Sequence, residues 1–222
     1  MDPQSPATVE PVFGQIAGVS LTERVTSALK DAFLTGKFKP GDPVIERQVA
    51  REMNVGTPVV REALIALKHE GFVRRITNKG SYVTQFSPEE VRQLFSLRVE
   101  LETLALQWAR TRITESELAE LTRLLEQLVE AGARENRSEF LRCDFEFHRF
   151  YWRASGNPFL ADTLERLMPP LFAFVVLASN RPLTAAMARE HQIFVNALRR
   201  VDEPEFTQLV RNALAKIAVR WT

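Results

Sequence analysis

Apolar side chains recur every three or four residues in three stretches near the start of the chain, which is the spacing of helices that bury one face. The first stretch, residues 20–34, opens with a serine and a glutamate in the positions of a capping box. The second and third lie within Val44–Val73 and are separated by Asn54 and Gly56, which break the helical pattern. The pattern therefore predicts a packing helix followed by a helix-turn-helix.

The second helix of this pair begins with polar and cationic residues. Thr57 is predicted to cap it through its hydroxyl, and Pro58 suits the first helical position because its missing N–H would be unpaired there anyway. The apolar positions further along leave Thr57 and Arg61 facing outward. A helix pair whose second helix presents such side chains has the geometry that places base-reading groups in the major groove of DNA.

After the helix pair, the pattern changes to two short extended runs. Residues 72–76 and 81–84 flank a turn that contains Lys79 and Gly80, which predicts a β-hairpin, or wing. Glycine at the tip allows close approach to phosphates or to the minor groove, because it has no side chain to clash. The three helices and the hairpin together predict a winged helix-turn-helix over residues 16–86.

Beyond the hairpin the apolar positions keep a helical spacing to the end of the chain, and Ser87-Pro88 has the form of a helix start. Helices are predicted at about residues 91–108, 118–128, 140–152, 159–177, 185–198 and 204–221. Pro169 and Pro170 require a kink or a split in the fourth of these. The predicted fold class is mainly α: an N-terminal winged helix-turn-helix of three helices and a small β-hairpin, followed by an all-α helical bundle over residues 87–222.

Composition narrows the class of protein. With 222 residues, of which 45% are hydrophobic and 26% charged, the chain is long enough for two small domains that each bury a core. Residues 1–15 contain three prolines and little to bury, so they are predicted to form a flexible N-terminal arm. A cytoplasmic protein without a membrane partner is expected, because no secretory signal is present and no apolar run reaches the roughly 20 residues of a membrane span. The single cysteine, Cys143, excludes an internal disulfide.

Charge is unevenly distributed along the chain. The net charge of only +1 argues against nonspecific coating of nucleic acid. Residues 12–86 nevertheless hold 11 Lys and Arg against 7 Asp and Glu, whereas residues 87–222 hold 18 against 19. The basic excess lies with the helix-turn-helix and the hairpin, where contact with DNA phosphates would need it.

Two groups of residues in the second half could carry chemistry. Asp144 and His148 are one helical turn apart and could grip one metal ion together, with His191 from a later helix completing the group. The alternative is a hydrogen-bonded structural pair. Arg98 could hold a carboxylate ligand by a bidentate pair, or it could be a surface arginine paired with Glu102 at i+4. The chain lacks a glycine-rich phosphate loop, a zinc-protease motif and a nucleophile elbow, so an enzyme is not expected.

Several short motifs, spread from Leu21 to the C-terminus, match a known family. They are Gly36-Lys37-Phe38-Lys39-Pro40-Gly41-Asp42, Arg61-Glu62-Ala63-Leu64 with Leu67 and Glu70-Gly71, Gly80, Leu97-Arg98 with Leu101-Glu102, Asp144 with Phe147-His148, Asn157-Pro158 and Glu190-His191. On these motifs the chain resembles the GntR family of bacterial transcription regulators, specifically the FadR-like branch with an all-helical, FCD-type effector domain.

The resemblance implies a homodimer, most often a repressor, that binds a short palindromic operator and whose bundle binds a small organic acid that alters DNA affinity. Relatives read DNA with an arginine in the first helix of the pair, with the start of the second helix and with the wing. The corresponding positions here are Arg47, Gly56, Thr57, Arg61, Lys79 and Gly80. Thr57 stands where many relatives have an arginine that contacts a guanine, so the operator sequence does not follow from the resemblance.

Metal-binding relatives use one aspartate and three histidines, and Asp144, His148 and His191 fall on the first three of these positions. The fourth position falls on Ala213, which cannot be a ligand. The resemblance implies one divalent ion, zinc or similar, held by three protein ligands with water or the effector's carboxylate in the open places. It also places Arg98 beside the ligand cavity.

The predicted function is therefore a ligand-responsive DNA-binding transcription regulator. Two alternatives stay open at this point. The first is a helical metalloenzyme that uses Asp144, His148 and His191 with an open coordination position. The second is a ligand-independent DNA-binding dimer in which the bundle serves only dimerisation.

Overall fold

The computed structural model describes residues 18–179, 182–199 and 203–221. In chain order its elements are α1 Leu21–Leu34, β1 Pro43–Val44, α2 Glu46–Glu52, α3 Thr57–His69, β2 Val73–Ile76, β3 Gly80–Val83, α4 Pro88–Arg110, α5 Glu115–Ala133, α6 Arg137–Ala154, α7 Pro158–Ser179, α8 Ala185–Arg189, α9 Gln192–Arg199 and α10 Glu203–Trp221. The predicted fold class, a winged helix-turn-helix followed by an all-helical bundle, is confirmed. The predicted N-terminal arm, residues 1–15, lies outside the described residues.

Helices α1 to α3 and the sheet share one hydrophobic core and form the N-terminal unit. Reciprocal hydrogen bonds between Ser20 and Glu23 make the predicted capping box at the start of α1. The sheet has the strand order β1-β3-β2, and both strand pairs are antiparallel. The predicted hairpin is β2 and β3, and β1 adds a third strand in which Pro43 lies opposite Tyr82. The wing is therefore anchored to the segment that leads into the helix-turn-helix.

The turn between α2 and α3 differs from the prediction in one respect. Gly56, not Thr57, is the N-cap of α3, with an extended backbone and no side-chain capping hydrogen bond. The prediction that Thr57 caps the helix is wrong, because Asn54 at φ +52° turns the chain early enough for the helix to begin at Thr57 itself. Glycine is tolerated as an N-cap at a cost of only a few tenths of a kcal/mol. The Thr57 hydroxyl is consequently not used for capping.

The bundle, α4 to α10, encloses the second hydrophobic core. Capping boxes at Ser87 and Thr114 start α4 and α5, and the first of them confirms the predicted helix start at Ser87. The helix that contains Pro169 and Pro170 is continuous, so the proline pair does not split it. The helix predicted at residues 185–198 is instead two short helices, α8 and α9, and His191 lies in the turn between them. Among the described residues, no helix is both long and apolar enough to cross a membrane.

Helix α7 is the part of the bundle that reaches into the N-terminal unit. Ala173 is buried within the hydrophobic core of that unit. Gly71, after α3, packs so closely on Pro170 that a Cβ added to the glycine would lie 3.1 Å from Cγ of the proline. Gly36 is similarly close to Leu177, at 3.2 Å from its Cδ2. Helix α7 thus contacts the segments that follow α1 and α3.

Candidate ligand chamber and DNA-binding face

The four site residues predicted in the bundle line one buried cavity of about 50 Å³, here called the chamber. Arg98 comes from α4, Asp144 and His148 come from α6, and His191 comes from the turn between α8 and α9. The remaining lining is largely apolar, and it is contributed by Phe95, Phe140, Leu141, Phe172, Val175, Val176, Leu183 and Met187, with Glu190. Three separate parts of the chain therefore build the site, and the predicted grouping is found.

Asp144, His148 and His191 place one ligand atom each within 4.8 Å of the other two. Oδ1 of Asp144 is 3.0 Å from Nε2 of His191 and 3.9 Å from Nε2 of His148, and the two Nε2 atoms are 3.3 Å apart. Metal–ligand bonds of about 2.1 Å put neighbouring ligand atoms roughly 3 to 3.5 Å apart in tetrahedral or octahedral sites. The separations of the three atoms are close to that range.

Tyr151 fixes the tautomer of His148. Its hydroxyl donates to Oε2 of Glu102 at 2.5 Å and therefore accepts the Nδ1–H of His148, also at 2.5 Å. Nε2 of His148 is then the lone-pair nitrogen, and it faces Oδ1 of Asp144, Nε2 of His191 and a guanidinium nitrogen of Arg98 that can donate to it. A partner on the far ring nitrogen is the usual means by which proteins orient a metal-ligating histidine.

His191 is oriented by the backbone instead. Its Nδ1 lies 3.0 Å from the carbonyl oxygen of Ala188, which can only accept, so Nδ1 carries the proton. Nε2 of His191 lies 3.0 Å from the carboxylate of Asp144, and in the neutral imidazole it is the nitrogen that carries the lone pair. The carboxylate oxygen and the two Nε2 atoms thus face one another beside the Arg98 guanidinium, which already donates to Nε2 of His148 at 3.3 Å. Without a metal ion, a proton on Nε2 of His191 would supply a hydrogen bond to Asp144.

Arg98 is not the surface arginine that the alternative interpretation describes, although it does pair with Glu102. The side chain of Arg98 is 5% exposed and that of Glu102 is fully buried, with Nε and Oε1 2.9 Å apart. One terminal nitrogen of the guanidinium lies 3.3 Å from Nε2 of His148. The guanidinium also lies over the ring of Phe172, 4.4 Å from its centre. Arg98 therefore faces both the histidine cluster and the apolar wall of the chamber.

The ionisation of these groups follows from burial and from the charges around them. Burial would raise the pKa of Glu102, but the charge of Arg98, followed by the contacts with His148 and Tyr151, outweighs burial and brings the pKa to about 2. Burial also opposes ionisation of Asp144, yet the hydrogen bond that His191 donates when its Nε2 carries a proton, together with the neighbouring positive charge, holds the pKa of Asp144 below the ordinary value. Burial lowers the pKa of His148. At neutral pH the site combines two carboxylates with a neutral, lone-pair-bearing imidazole, the forms that bind metal ions.

Reasoning from the sequence missed the buried roles of Glu102 and Tyr151. The available signal was weak: Glu102 is four residues after Arg98, and Tyr151 is three residues after His148. Spacing gives the shared helix face, but it does not show that the face is buried against a second helix. Ala213, the position of the fourth family ligand, is buried in the core of the bundle and is not part of the chamber lining.

The predicted DNA-contacting positions lie on the surface of the N-terminal unit. Arg47 on α2, Gly56, Arg61 on α3, Lys79 and Gly80 are exposed, and Thr57 is half-buried. Arg61 donates from two nitrogens to Oε2 of Glu46 on α2, at 3.1 and 2.9 Å. This ion pair links the start of α2 to α3.

The wing tip has a backbone suited to close approach. Asn78 and Gly80 have φ values of +62° and +106°, in the region that favours glycine. No atom outside the immediate chain neighbours lies within 4 Å of the position that a Cβ on Gly80 would take, so the wing tip is open to solvent at this residue. The Tyr82 hydroxyl donates to the carbonyl of Lys79 at 3.3 Å, which steadies the turn and leaves the lysine side chain exposed.

A winged helix-turn-helix with exposed cations, joined to a helical bundle with a buried ligand chamber, defines a DNA-binding transcription regulator with an effector domain. The chain belongs to the GntR family: the model of bacterial regulatory proteins of the gntR family matches residues 21–83, and the FCD domain model matches residues 93–216. Because the family and its members are regulators of transcription, the protein is a transcription regulator and not an enzyme, and the metalloenzyme alternative is excluded.

Individual relatives agree with this assignment. The chain is 26% identical to the transcriptional repressor NanR of Klebsiella aerogenes, over 93% of this chain and 87% of that protein. It is also 26% identical to the transcriptional regulator McbR of Escherichia coli K12, over 93% of both chains. Among solved structures, E. coli McbR/YncC has a TM-score of 0.73 at 24% identity, over 91% of this chain and 95% of that one. A GntR-type regulator from Rhodococcus sp. RHA1 has a TM-score of 0.74 at 21% identity, over 90% of this chain and 96% of that one.

Proposed function

We propose that the protein is a homodimeric repressor that binds a palindromic operator, and that a small organic acid bound at Arg98 changes this binding. One observation carries the proposal: Arg98 converges with Asp144, His148 and His191 on a single buried chamber. A guanidinium has five N–H donors, and Glu102 and the His148 nitrogen account for two of them in the described contacts. The remaining donors suit the carboxylate of an acid.

The N-terminal unit supplies the DNA contacts in this proposal. Arg47 and Arg61 would enter or border the major groove, as a helix-turn-helix requires, and Gly56 with Thr57 would bring the start of α3 close to the bases. The wing residues Lys79 and Gly80 would contact phosphates or the minor groove, contacts that position the protein without reading sequence. Their exposure is what makes these contacts sterically available.

A homodimer needs an apolar surface on the bundle that a second copy can cover. Leu97 and Trp108 are 44% and 36% exposed on α4. They are eleven residues apart, about three helical turns, so they lie on nearly the same side of that helix. Large exposed hydrophobic side chains in a shared stripe mark association surfaces more often than isolated ones do. We propose that this side of α4 contributes to the dimer.

The proposed effector response is tested with Arg98→Lys, which keeps a cation beside Glu102 but lacks the planar fork of donors. We expect the variant to bind operator DNA like the natural protein and to need at least a tenfold higher acid concentration for the same change in DNA binding. The measurement is a gel shift on the DNA upstream of the gene, with a panel of carboxylic acids, with and without a chelator.

Arg92→Lys is the matched control, because Arg92 is an exposed residue of the same helix whose partner is Glu89. An unaltered acid response in Arg98→Lys would contradict the role of Arg98. If no acid changes either DNA binding or the melting temperature, the ligand-independent dimer is the better description. If the protein shows no sequence preference on any DNA at moderate salt, the regulator function itself is wrong for this chain.

We also propose that Asp144, His148 and His191 hold one divalent metal ion. The support is the grouping of one carboxylate oxygen and two imidazole nitrogens within 4.8 Å of one another, with Nδ1 of each histidine held by Tyr151 or by the Ala188 carbonyl. A bound ion would supply positive charge for the carboxylate of the effector. The chain's own residues orient the imidazoles and keep the site buried, and Arg98 provides the second anchor for the acid.

Replacing Asp144 with asparagine is expected to weaken zinc binding at least 100-fold, because the variant loses the only anionic ligand of the three while the fold is kept. Zinc affinity is measured by competition with a chromophoric chelator after the protein has been stripped of metal. Asp31→Asn is the matched control on an exposed position of α1 and should bind zinc unchanged. Equal affinity in Asp144→Asn and the natural protein would rule out this site.

A further inference from the structure

A second and much larger cavity lies between the N-terminal unit and the bundle. Its volume is about 700 Å³, and it is here called the cleft. Leu34 and Phe72 line it from the N-terminal unit, and Phe145 and Pro169 line it from the bundle. Charged side chains stand among these apolar ones, including Arg166. Seven of the fourteen lining residues are apolar and seven are ionisable, the latter being Lys30, His69, Glu70, Arg142, Asp162, Glu165 and Arg166.

The two cavities differ in what they can hold. A cavity needs roughly 10–15 Å³ to hold one water molecule, so the chamber of about 50 Å³ has room for an ion with a few waters or for a single acid group. Small-molecule sites usually measure about 300–1,000 Å³. The cleft, at about 700 Å³, falls inside that range and the chamber does not.

Only a thin wall separates the cavities. Leu141 and Phe172 line both the chamber and the cleft, and no other residue of the described chain is shared by the two linings. Phe172 lies over the Arg98 guanidinium on the chamber side. Its neighbour on α7, Ala173, is buried in the core of the N-terminal unit. A group that passes this wall leaves Arg98 and enters the space between the two units.

We infer that the effector is an amphipathic carboxylate, whose acid group binds Arg98 in the chamber and whose apolar body displaces Leu141 and Phe172 and fills the cleft. This inference rests on the proposed function, since it needs an acid at Arg98. It adds the chemical class of the effector: a carboxylate on an apolar chain or ring too large for the chamber. It also gives the cleft an occupant that contacts both units.

Such an occupant explains how a signal reaches the DNA-binding face. The ligand would touch Leu34 and Phe72 of the N-terminal unit directly, so its binding energy depends on how that unit sits against the bundle. A ligand shifts a conformational equilibrium only by its difference in affinity for the two states. Moving Phe172 also disturbs the segment of α7 in which Pro170 packs on Gly71 and Ala173 enters the neighbouring core. Both effects act on the same contact between the units.

The experiment is a calorimetric titration of the full-length protein with a series of straight-chain acids: acetate, butyrate, hexanoate and octanoate. Each methylene buried in the cleft should tighten binding by up to about fourfold. Octanoate is therefore expected to bind at least 100-fold more tightly than acetate. Arg98→Lys should weaken both acids, which would show that the acid group stays at Arg98.

Two variants test whether the chain of the acid reaches the cleft. Leu34→Glu, from the N-terminal side, and Phe145→Glu, from the bundle side, place a carboxylate in the apolar wall. Each variant is expected to weaken octanoate binding at least tenfold and to change the affinity for acetate by no more than twofold. Retained acetate binding would show that the chamber is intact. Leu21→Glu is the matched control, because Leu21 is a 46% exposed leucine of the same helix as Leu34. Leu21→Glu should leave the affinities for octanoate and acetate unchanged.

The outcomes separate this inference from the proposed function. If acetate and octanoate bind equally, or if both cleft variants bind octanoate like the natural protein, the effector does not occupy the cleft, although an acid at Arg98 still stands. If no acid of the series binds the natural protein, the organic-acid effector is wrong, and the inference that rests on it is overturned as well.

Discussion

Replacing Arg61 with alanine is expected to weaken binding to a specific operator about 10- to 100-fold, the loss typical of one good arginine–base contact. Arg61 is 54% exposed on α3 and is held against Glu46 of α2 by two hydrogen bonds. The ion pair keeps the guanidinium extended next to the start of α3, where a helix-turn-helix meets base edges. Affinity is measured by fluorescence anisotropy at one fixed salt concentration, because phosphate contacts make DNA binding depend steeply on salt.

The matched control for this prediction is Arg123→Ala. Arg123 is 51% exposed and pairs with Glu120, so it resembles Arg61 in charge and exposure, but it lies on α5 of the bundle. Its removal should leave operator binding unchanged. A loss of equal size in both variants would show that net charge, rather than a specific contact, determines affinity. Unchanged melting temperatures in both would confirm that the comparison concerns DNA binding and not folding.

Replacing Arg98 with alanine is expected to lower the free energy of unfolding by about 3–5 kcal/mol, because it leaves the carboxylate of Glu102 buried and without its cation. Glu102 is completely buried, and its pKa of about 2 reflects how strongly the surrounding cation and imidazole favour its charged form. Urea denaturation followed by circular dichroism gives the change. The effect should exceed that of most single substitutions.

Two comparisons identify the cause of this loss. Arg92→Ala breaks an arginine–glutamate pair on the same helix that is exposed on both sides, and it should have no measurable effect on stability. Arg98→Met combined with Glu102→Gln removes both charges and keeps an acceptor for the Tyr151 hydroxyl, so it should recover at least half of the loss. If the double variant is as unstable as Arg98→Ala, lost packing rather than an unpaired charge is responsible.

Much of the fold was predictable from short-range patterns. The capping box at Ser20 and the helix start at Ser87 form as predicted, because the partners in a capping box are three residues apart and need no distant contact. The hairpin of the wing follows from two extended runs around a glycine turn. Asp144 and His148 share a helix face because they are one turn apart. The domain limits at residues 16–86 and 87–222 stay a prediction.

Local patterns were less reliable where the chain changes direction. The helix assigned to residues 185–198 is broken before α9, and the break puts His191 in a turn from which its ring reaches the chamber. The N-cap of α3 is Gly56 instead of Thr57, since the helix begins one residue earlier than a Thr57 cap would require. In both places the residue at which a helix begins or ends depends on packing against neighbouring helices. The spacing of apolar residues along the chain carries no information about that packing.

The sequence by itself determined the class of fold, the helix faces and the residue types at the site, since these depend on periodicity and on groups a few residues apart. Only the tertiary structure decided that Arg98 and Glu102 are buried, because burial depends on α6 and α7 covering that side of α4. It also decided the histidine tautomers, which are fixed by Tyr151 and by the Ala188 carbonyl. The tertiary structure also decided the wall between the chamber and the cleft, because Leu141 and Phe172, which form it together, are 31 positions apart in the sequence.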